Sequence, residues 1–260
     1  MKKILSLILC TILVYTGCIS VYAKENKASW YCVRKKDHSQ PELPNDLSFS
    51  QNYDVFWIDE NNNSYEENDK VIYLTFDAGY ENGNIKKIVE VLKDEGVAAT
   101  FFILDNMILK NEALVKRMID DGHLIANHTM KHKDMTMLGS KEEVAKELED
   151  LETLYEETYG IKMSKIYRPP EGKISETSLK WTKELGYKTV MWSFAYADWD
   201  NGKQPQCDYA MKKILDNLHN GEVMLLHPTS GTNAEIMKDL IIELKSRGFR
   251  FATVDELCKG

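Results

Sequence analysis

From Val71 onward the chain alternates between two patterns. Short apolar runs stand at VIYLTF (71–76), AATFFI (98–103), HLIAN (123–127), KIYR (165–168), KTVMWSF (188–194), EVMLLH (222–227) and FRFATV (249–254). Runs without polar alternation fit strands buried on both faces. Between them lie longer amphipathic segments. Ile88, Val89 and Leu92 share one helical face that Gly96 closes, and Leu240, Ile241 and Leu244 repeat the pattern before Gly248. Ser140 and Glu143 have capping-box spacing for a long helix reaching about Tyr159. Seven strands alternating with six helices predict an α/β fold with a parallel sheet, either a closed barrel or an open doubly wound sheet. Both put their functional site at the carboxyl ends of the strands.

The first part of the chain is different. Residues 24–69 are polar, carry Pro41 and Pro44, and hold a few aromatic residues, Trp30, Tyr31, Phe56 and Trp57. They predict a loop-rich extension docked on a main domain spanning 70–260. Residues 1–23 open with MKK, continue through an apolar core and end in VYA. This is the layout of a secretory signal cleaved after Ala23, or of an uncleaved anchor. Tyr15 stands where a lipidation signal at Cys18 wants an aliphatic residue, which argues against lipidation. No internal stretch approaches the roughly 18 apolar residues of a membrane span.

The 260 residues are 43% hydrophobic, enough for a sizeable core. The formal net charge is −8, and −10 once the two lysines of residues 1–23 are gone. That sign argues against nucleic acid and anionic membrane surfaces and permits a neutral glycan. Membrane contact is expected only through an uncleaved N-terminal segment. Beyond residue 23 only Cys32, Cys207 and Cys258 remain, an odd set without a CxxC. It indicates neither a disulfide framework nor a thiolate zinc site, although one bridge can form.

The strand-end rule exposes the chemistry. Asp77 follows the first apolar run, His128 and His132 the third, Arg168 ends the fourth, Asp198 and Trp199 follow the fifth, and His227 ends the sixth. A single polar strand end is usually a turn or a cap; five matched ones mark a site. On a helical turn the i, i+4 spacing of HTMKH would set both imidazoles on one face, able to share a cation and leave positions open for water. Taken alone, the same spacing also occurs in ordinary histidines. Asp77 can be a ligand or a general base, and Arg168 can fix it through a fork-shaped ion pair. RPPEG (168–172) also reads as a plain Pro-Pro turn with a solvated arginine. His227 can protonate a leaving amine, with Asp198 holding its tautomer, or it can be a satisfied core histidine. No GxSxG, Walker sequence or GxGxxG follows a strand. Hydrolysis by an activated water fits the set best.

TFDAG, HTMKH, RPPEG, DW and LLH, in this order, resemble the motifs of the polysaccharide deacetylases, carbohydrate esterase family 4, from about Val71 to Leu257. The resemblance implies a distorted (β/α)7-type barrel that removes acetyl from N-acetylated sugars with a divalent metal, expected to be zinc. It assigns Asp77 as the base, Arg168 as its orienting partner, His227 as the acid and Asp198 as its partner. His128 and His132 become metal ligands, while Trp199, Leu225 and Pro169 become substrate contacts. One residue departs from the pattern. Ala78 stands where the family usually has an Asp that ligates the metal, so weaker metal binding, or activity that survives metal loss, is expected. GYENG, RPPEG, MWSFAYADW and SWY make the chain similar to the sporulation peptidoglycan deacetylases of the muramic δ-lactam pathway. This implies an extracytoplasmic enzyme of the cell wall or spore cortex acting on N-acetylmuramic acid in peptide-stripped glycan strands. Alternatives are an N-acetylglucosamine deacetylase and a glycan-binding pseudoenzyme, the latter motivated by Ala78.

Overall fold

The computed structural model describes residues 26–65 and 69–259; the expected signal or anchor at 1–23 lies outside the described residues. The elements run β1 (Lys27–Ser29), β2 (Val55–Phe56), β3 (Lys70–Ala78), α1 (Asn84–Asp94), β4 (Thr100–Ile103), α2 (Asp105–Asp120), β5 (Leu124–Asn127), α3 (Lys141–Tyr159), β6 (Ile166–Tyr167) and β7 (Lys173–Ser175). They continue with α4 (Glu176–Glu184), β8 (Lys188–Val190), α5 (Cys207–Leu215), β9 (Glu222–Leu226), α6 (Gly231–Ser246), β10 (Phe249–Ala252) and α7 (Val254–Leu257). Each of the seven apolar runs forms a strand, α1 and α6 bury the faces their spacing predicts, and α3 reaches Tyr159 as expected.

The main sheet is parallel, ordered β10–β3–β4–β5–β6–β8–β2, with β9 also on β3. β3 is its centre. β9 pairs along Ile72–Phe76, while β10 takes Lys70–Tyr73 and β4 takes Thr75–Ala78. A strand has two edges, so β10 and β4 share the one that β9 leaves. The sheet curls until the segment after β8 meets β9. There a single bridge joins Phe194 to Met224, and the Leu225 N–H donates to the Phe194 carbonyl at 2.8 Å. The result is a distorted barrel whose seam is stitched by a few bonds.

Alternation along β3 explains its two faces. Val71 and Tyr73 join Phe102, Ala126, Val190 and Val223 in the interior cluster. Ile72, Leu74, Phe76 and Ala78 join the cluster that packs against the helices, with Ile85, Ile88 and Met107. Successive side chains point to opposite faces, so Asp77 belongs with the interior set and Ala78 with the helix layer.

The extension is docked. β1 pairs antiparallel with β7, and β2 adds an edge strand to β8. Neither was legible in sequence, because two or three residues are too few to show an alternation. Trp30 is buried; its N–H donates to the Gly172 carbonyl and its indole N–H to the Trp192 carbonyl, both at 2.8 Å. Gly172 has φ +64°, and a Cβ there would lie 2.5 Å from the Trp192 ring and 3.1 Å from the Trp30 Cβ. Only glycine fits between the two indoles.

One local expectation needs correction. Ser140 caps α3 by accepting the Glu143 N–H, but the Glu143 carboxylate takes the Gly139 N–H at 2.8 Å, so the box does not close. A reciprocal box forms instead at Ser175 and Ser178, ahead of α4. Cys32, Cys207 and Cys258 are all free thiols. No helix among the described residues is long and apolar enough to cross a membrane.

Because Trp30 bolts the extension to the barrel wall, Trp30→Ala is expected to cost about 3–5 kcal/mol, as buried tryptophan truncations do. Urea denaturation checks it; an unchanged midpoint would show that the extension is dispensable to the fold.

Candidate active site

Arg168 ends β6 and points into the barrel, fully buried. Such a cation must be paired and fully hydrogen-bonded. Its Nη1 donates to Asp77 Oδ1 and to Thr75 Oγ1, each at 2.9 Å. Nε and Nη2 donate to the carbonyls of Val190 and Met191, both at 3.0 Å. The Phe102 ring lies 4.1 Å from the guanidinium carbon, a cation–π contact. The expected fork on Asp77 is not formed: one N–H reaches the carboxylate, and the others tie β6 to β3 and β8. A solvated arginine is excluded. Burial raises the Asp77 pKa, but Arg168, with His128 and His227, outweighs it and holds the carboxyl below its usual value.

His128 and His132 are brought together, though not on a helical turn. HTMKH is a loop in which Thr129 (φ 74°) and His132 (φ 56°) are left-handed. The loop folds back so that the two rings lie 5.1 Å apart at 72°. His128 Nδ1 lies 2.9 Å from the Arg168 carbonyl, a pure acceptor, so Nδ1 carries the proton and Nε2 is a free lone pair. That Nε2 lies 3.7 Å from Asp77 Oδ2. Burial pushes the His128 pKa down to about 4, which keeps the ring neutral, as a ligand must be.

His227 follows β9. Its Nδ1–H donates to Asp198 Oδ1 at 2.7 Å, and its backbone N–H donates to Oδ2 at 2.8 Å. Asp198 is fully buried and also accepts from Asn233 Nδ2 at 2.6 Å. The Tyr196 hydroxyl in turn donates to Asn233 Oδ1. Burial lowers the His227 pKa, but Asp198, assisted by Asp77, prevails and raises it above its ordinary value.

Asp77, His128, His132, Trp199, Leu225 and His227 line one cavity of about 740 Å³. Trp199 is 61% exposed at its rim, as is Tyr80 at 47%, whose hydroxyl accepts from Asn201 Nδ2 at 2.6 Å. Pro169 is the exception among the expected contacts. It is buried off the cavity wall, and Glu171 and Gly172 of the same stretch line it instead. Sequence reasoning also missed Thr75 and Asn233. Thr75 had a signal, as a polar residue two before Asp77 and so on its face of β3. Asn233 had none, lying in α6 far from Asp198 in sequence.

The residues suit a divalent cation with two imidazole donors. His128 presents a free Nε2 and the His132 ring stands beside it. Among the described residues no cluster of three or more His, Cys, Asp or Glu side chains could hold a metal. Ala78, buried in the helix layer, adds no donor.

Two expectations follow from this geometry. Arg168→Ala leaves Asp77 buried without its partner and is expected to cost about 3–5 kcal/mol in chemical denaturation. His227 has a raised folded pKa, so its protonated form contributes stability that is complete below about pH 6.5 and is lost as pH rises through the folded value. An NMR titration should place the His227 midpoint above that of a free histidine, and Asp198→Asn should lower it. An unmoved midpoint would remove Asp198 as the cause.

Comparison with known proteins fits this geometry. The family model described as polysaccharide deacetylase matches residues 64–190. The chain is 38% identical, over 99% of its length and 96% of the relative's, to the peptidoglycan-N-acetylmuramic acid deacetylase PdaA of Bacillus subtilis. It is 32% identical to a Bacillus cereus peptidoglycan-N-acetylglucosamine deacetylase, over 74% of this chain and 90% of the relative. The solved structure of Bacillus subtilis PdaA, a family 4 carbohydrate esterase, superposes with a TM-score of 0.81 at 37% identity, covering 89% of this chain and 96% of the other. On its sequence similarity, its distorted barrel and the order of its motifs, the chain belongs to the polysaccharide deacetylase family.

Proposed function

We propose that this chain is an extracytoplasmic N-deacetylase of peptidoglycan. Its substrate would be N-acetylmuramic acid in strands already stripped of peptide, a step towards muramic δ-lactam in the spore cortex. The observation that carries the chemistry is a pair of oppositely tuned groups on one cavity: Asp77, whose proton affinity Arg168 lowers, and His227, whose proton affinity Asp198 raises. The resemblance to PdaA over nearly the whole chain carries the substrate.

Asp77 accepts a proton from a water as that water attacks the acetyl carbonyl carbon. Protonated His227 has committed Nδ1 to Asp198, so Nε2 gives its proton to the departing amine nitrogen as the C–N bond breaks. Acetate and a free amine leave. Leu225 supplies apolar surface for the acetyl methyl, and Trp199 offers an exposed ring at the rim for a sugar face. A divalent cation on His128 and His132, zinc for preference, would polarise the amide carbonyl and ease deprotonation of the attacking water.

A second reading, an N-acetylglucosamine deacetylase, is favoured by one feature. No Lys or Arg lines the cavity among the described residues, and the Lys173 ammonium behind Glu171 is committed to Glu171 and Asp134, so no free lysine or arginine faces the cavity for the lactyl carboxylate of muramic acid. Acetate release from peptide-stripped muramic glycan and from N-acetylglucosamine oligomers separates the two. Turnover of the oligomers alone would overturn the muramic reading. Asp77→Asn is expected to abolish acetate release on either substrate while circular dichroism stays that of the wild type. Retained activity would remove Asp77 from the chemistry.

A further inference from the structure

Glu147 lies in α3, 4% exposed, and the chemistry above leaves it without a part. Its partners are consecutive positions of the HTMKH loop and the residue after it. The Met130 N–H donates to the Glu147 carbonyl at 2.8 Å, and the Lys131 N–H donates to Oε2 at 2.9 Å. The Lys133 ammonium lies 2.6 Å from Oε1, reaching from an exposed side chain to a buried carboxylate. His132 sits between these last two anchors.

The loop needs such anchors. Thr129 and His132 both occupy the left-handed region, which non-glycine residues leave unless the surroundings hold them there. The Thr129 end has its own clamp. Asn127 Oδ1 accepts the Thr129 N–H at 2.8 Å, and Thr129 Oγ1 accepts the His132 N–H at 2.9 Å. Asn127 then donates to the Leu148 carbonyl at 2.9 Å, so both clamps end on the same turn of α3.

We infer that Glu147 is a positioning residue: by holding the Lys131 backbone and the Lys133 side chain it keeps His132 in the left-handed conformation that sets its ring beside His128. The inference rests on the reading of His128 and His132 as a cation-binding pair. It makes α3, a helix that lines no part of the cavity, the template for that pair.

The experiment compares Glu147→Ala and Glu147→Gln with Leu151→Ala, a core truncation in the same helix. Two readouts are taken: amide hydrogen exchange without metal, and zinc affinity by competition with a chelator. Glu147→Ala is expected to speed exchange at Lys131 and His132 and to weaken zinc binding about 10–100-fold, the usual cost of losing a group that orients a ligand. Glu147→Gln keeps an acceptor for the Lys131 N–H and is expected to retain most of the affinity. Leu151→Ala is expected to lower Tm while leaving loop exchange and zinc affinity as in the wild type. Wild-type exchange and affinity in Glu147→Ala would overturn the inference, as would equal losses in Leu151→Ala. If the alanine variant does not fold, Lys133→Ala decides through exchange at His132, where no change overturns the inference. A wild-type protein that binds no zinc overturns the cation reading, and the exchange measurement alone then decides the hold of Glu147 on the loop.

Discussion

A guanidinium buried inside a barrel is the constraint on which the rest depends. Arg168 cannot sit there without a counter-charge and acceptors for its N–H groups. Asp77 supplies the charge, Thr75 a hydroxyl, and the ends of β6, β3 and β8 are thereby fixed to one another. The same ion pair favours the ionised form of Asp77 in buried surroundings that raise its proton affinity. Structure and reactivity thus share one interaction. Swapping the pair for apolar residues of like volume can spare the fold, yet it would leave nothing to accept a proton.

The two tuned groups are set by different means. Asp77 is governed by a cation approaching one oxygen, with the rest of that cation satisfied elsewhere. His227 is governed by a carboxylate that is itself anchored, since Asp198 accepts from His227 twice and from Asn233 once. Three fixed donors leave Asp198 little freedom to reorient, and so fix the face that His227 turns to the cavity.

The fold was legible where the hydrophobic pattern was long enough to carry a period. β3 and α6 declare themselves; β1 and β2 do not, because two or three residues have no period. The site was legible because the strand-end rule gathers residues distant in sequence, and Asp77, His128, His132, Arg168 and His227 all stand at such ends. Geometry within loops was not. HTMKH has helical spacing, yet its backbone turns left-handed at Thr129 and His132, where its N–H groups donate to the side chains of Asn127, Thr129 and Glu147. Arg168 could be read as a partner of Asp77, but not as a hub of four hydrogen bonds, because carbonyl acceptors leave no trace in side-chain identity. Pro169 matched a motif position and is still not among the residues that line the cavity.

The seam of the barrel has a further consequence. Between the segment after β8 and β9 there is one bridge, Phe194 to Met224, in place of a ladder. Asp198 stands on one side of that seam and His227 on the other, so their hydrogen bonds are also a latch across it. Segments joined by few bonds open locally more often than the strands around them. Each such opening would part the imidazole from its carboxylate and drop its proton affinity toward that of a solvated ring. The hydrogen bonds that raise the proton affinity of His227 are therefore also bonds that close the barrel, so a change that loosened the seam would weaken the acid as well as the fold.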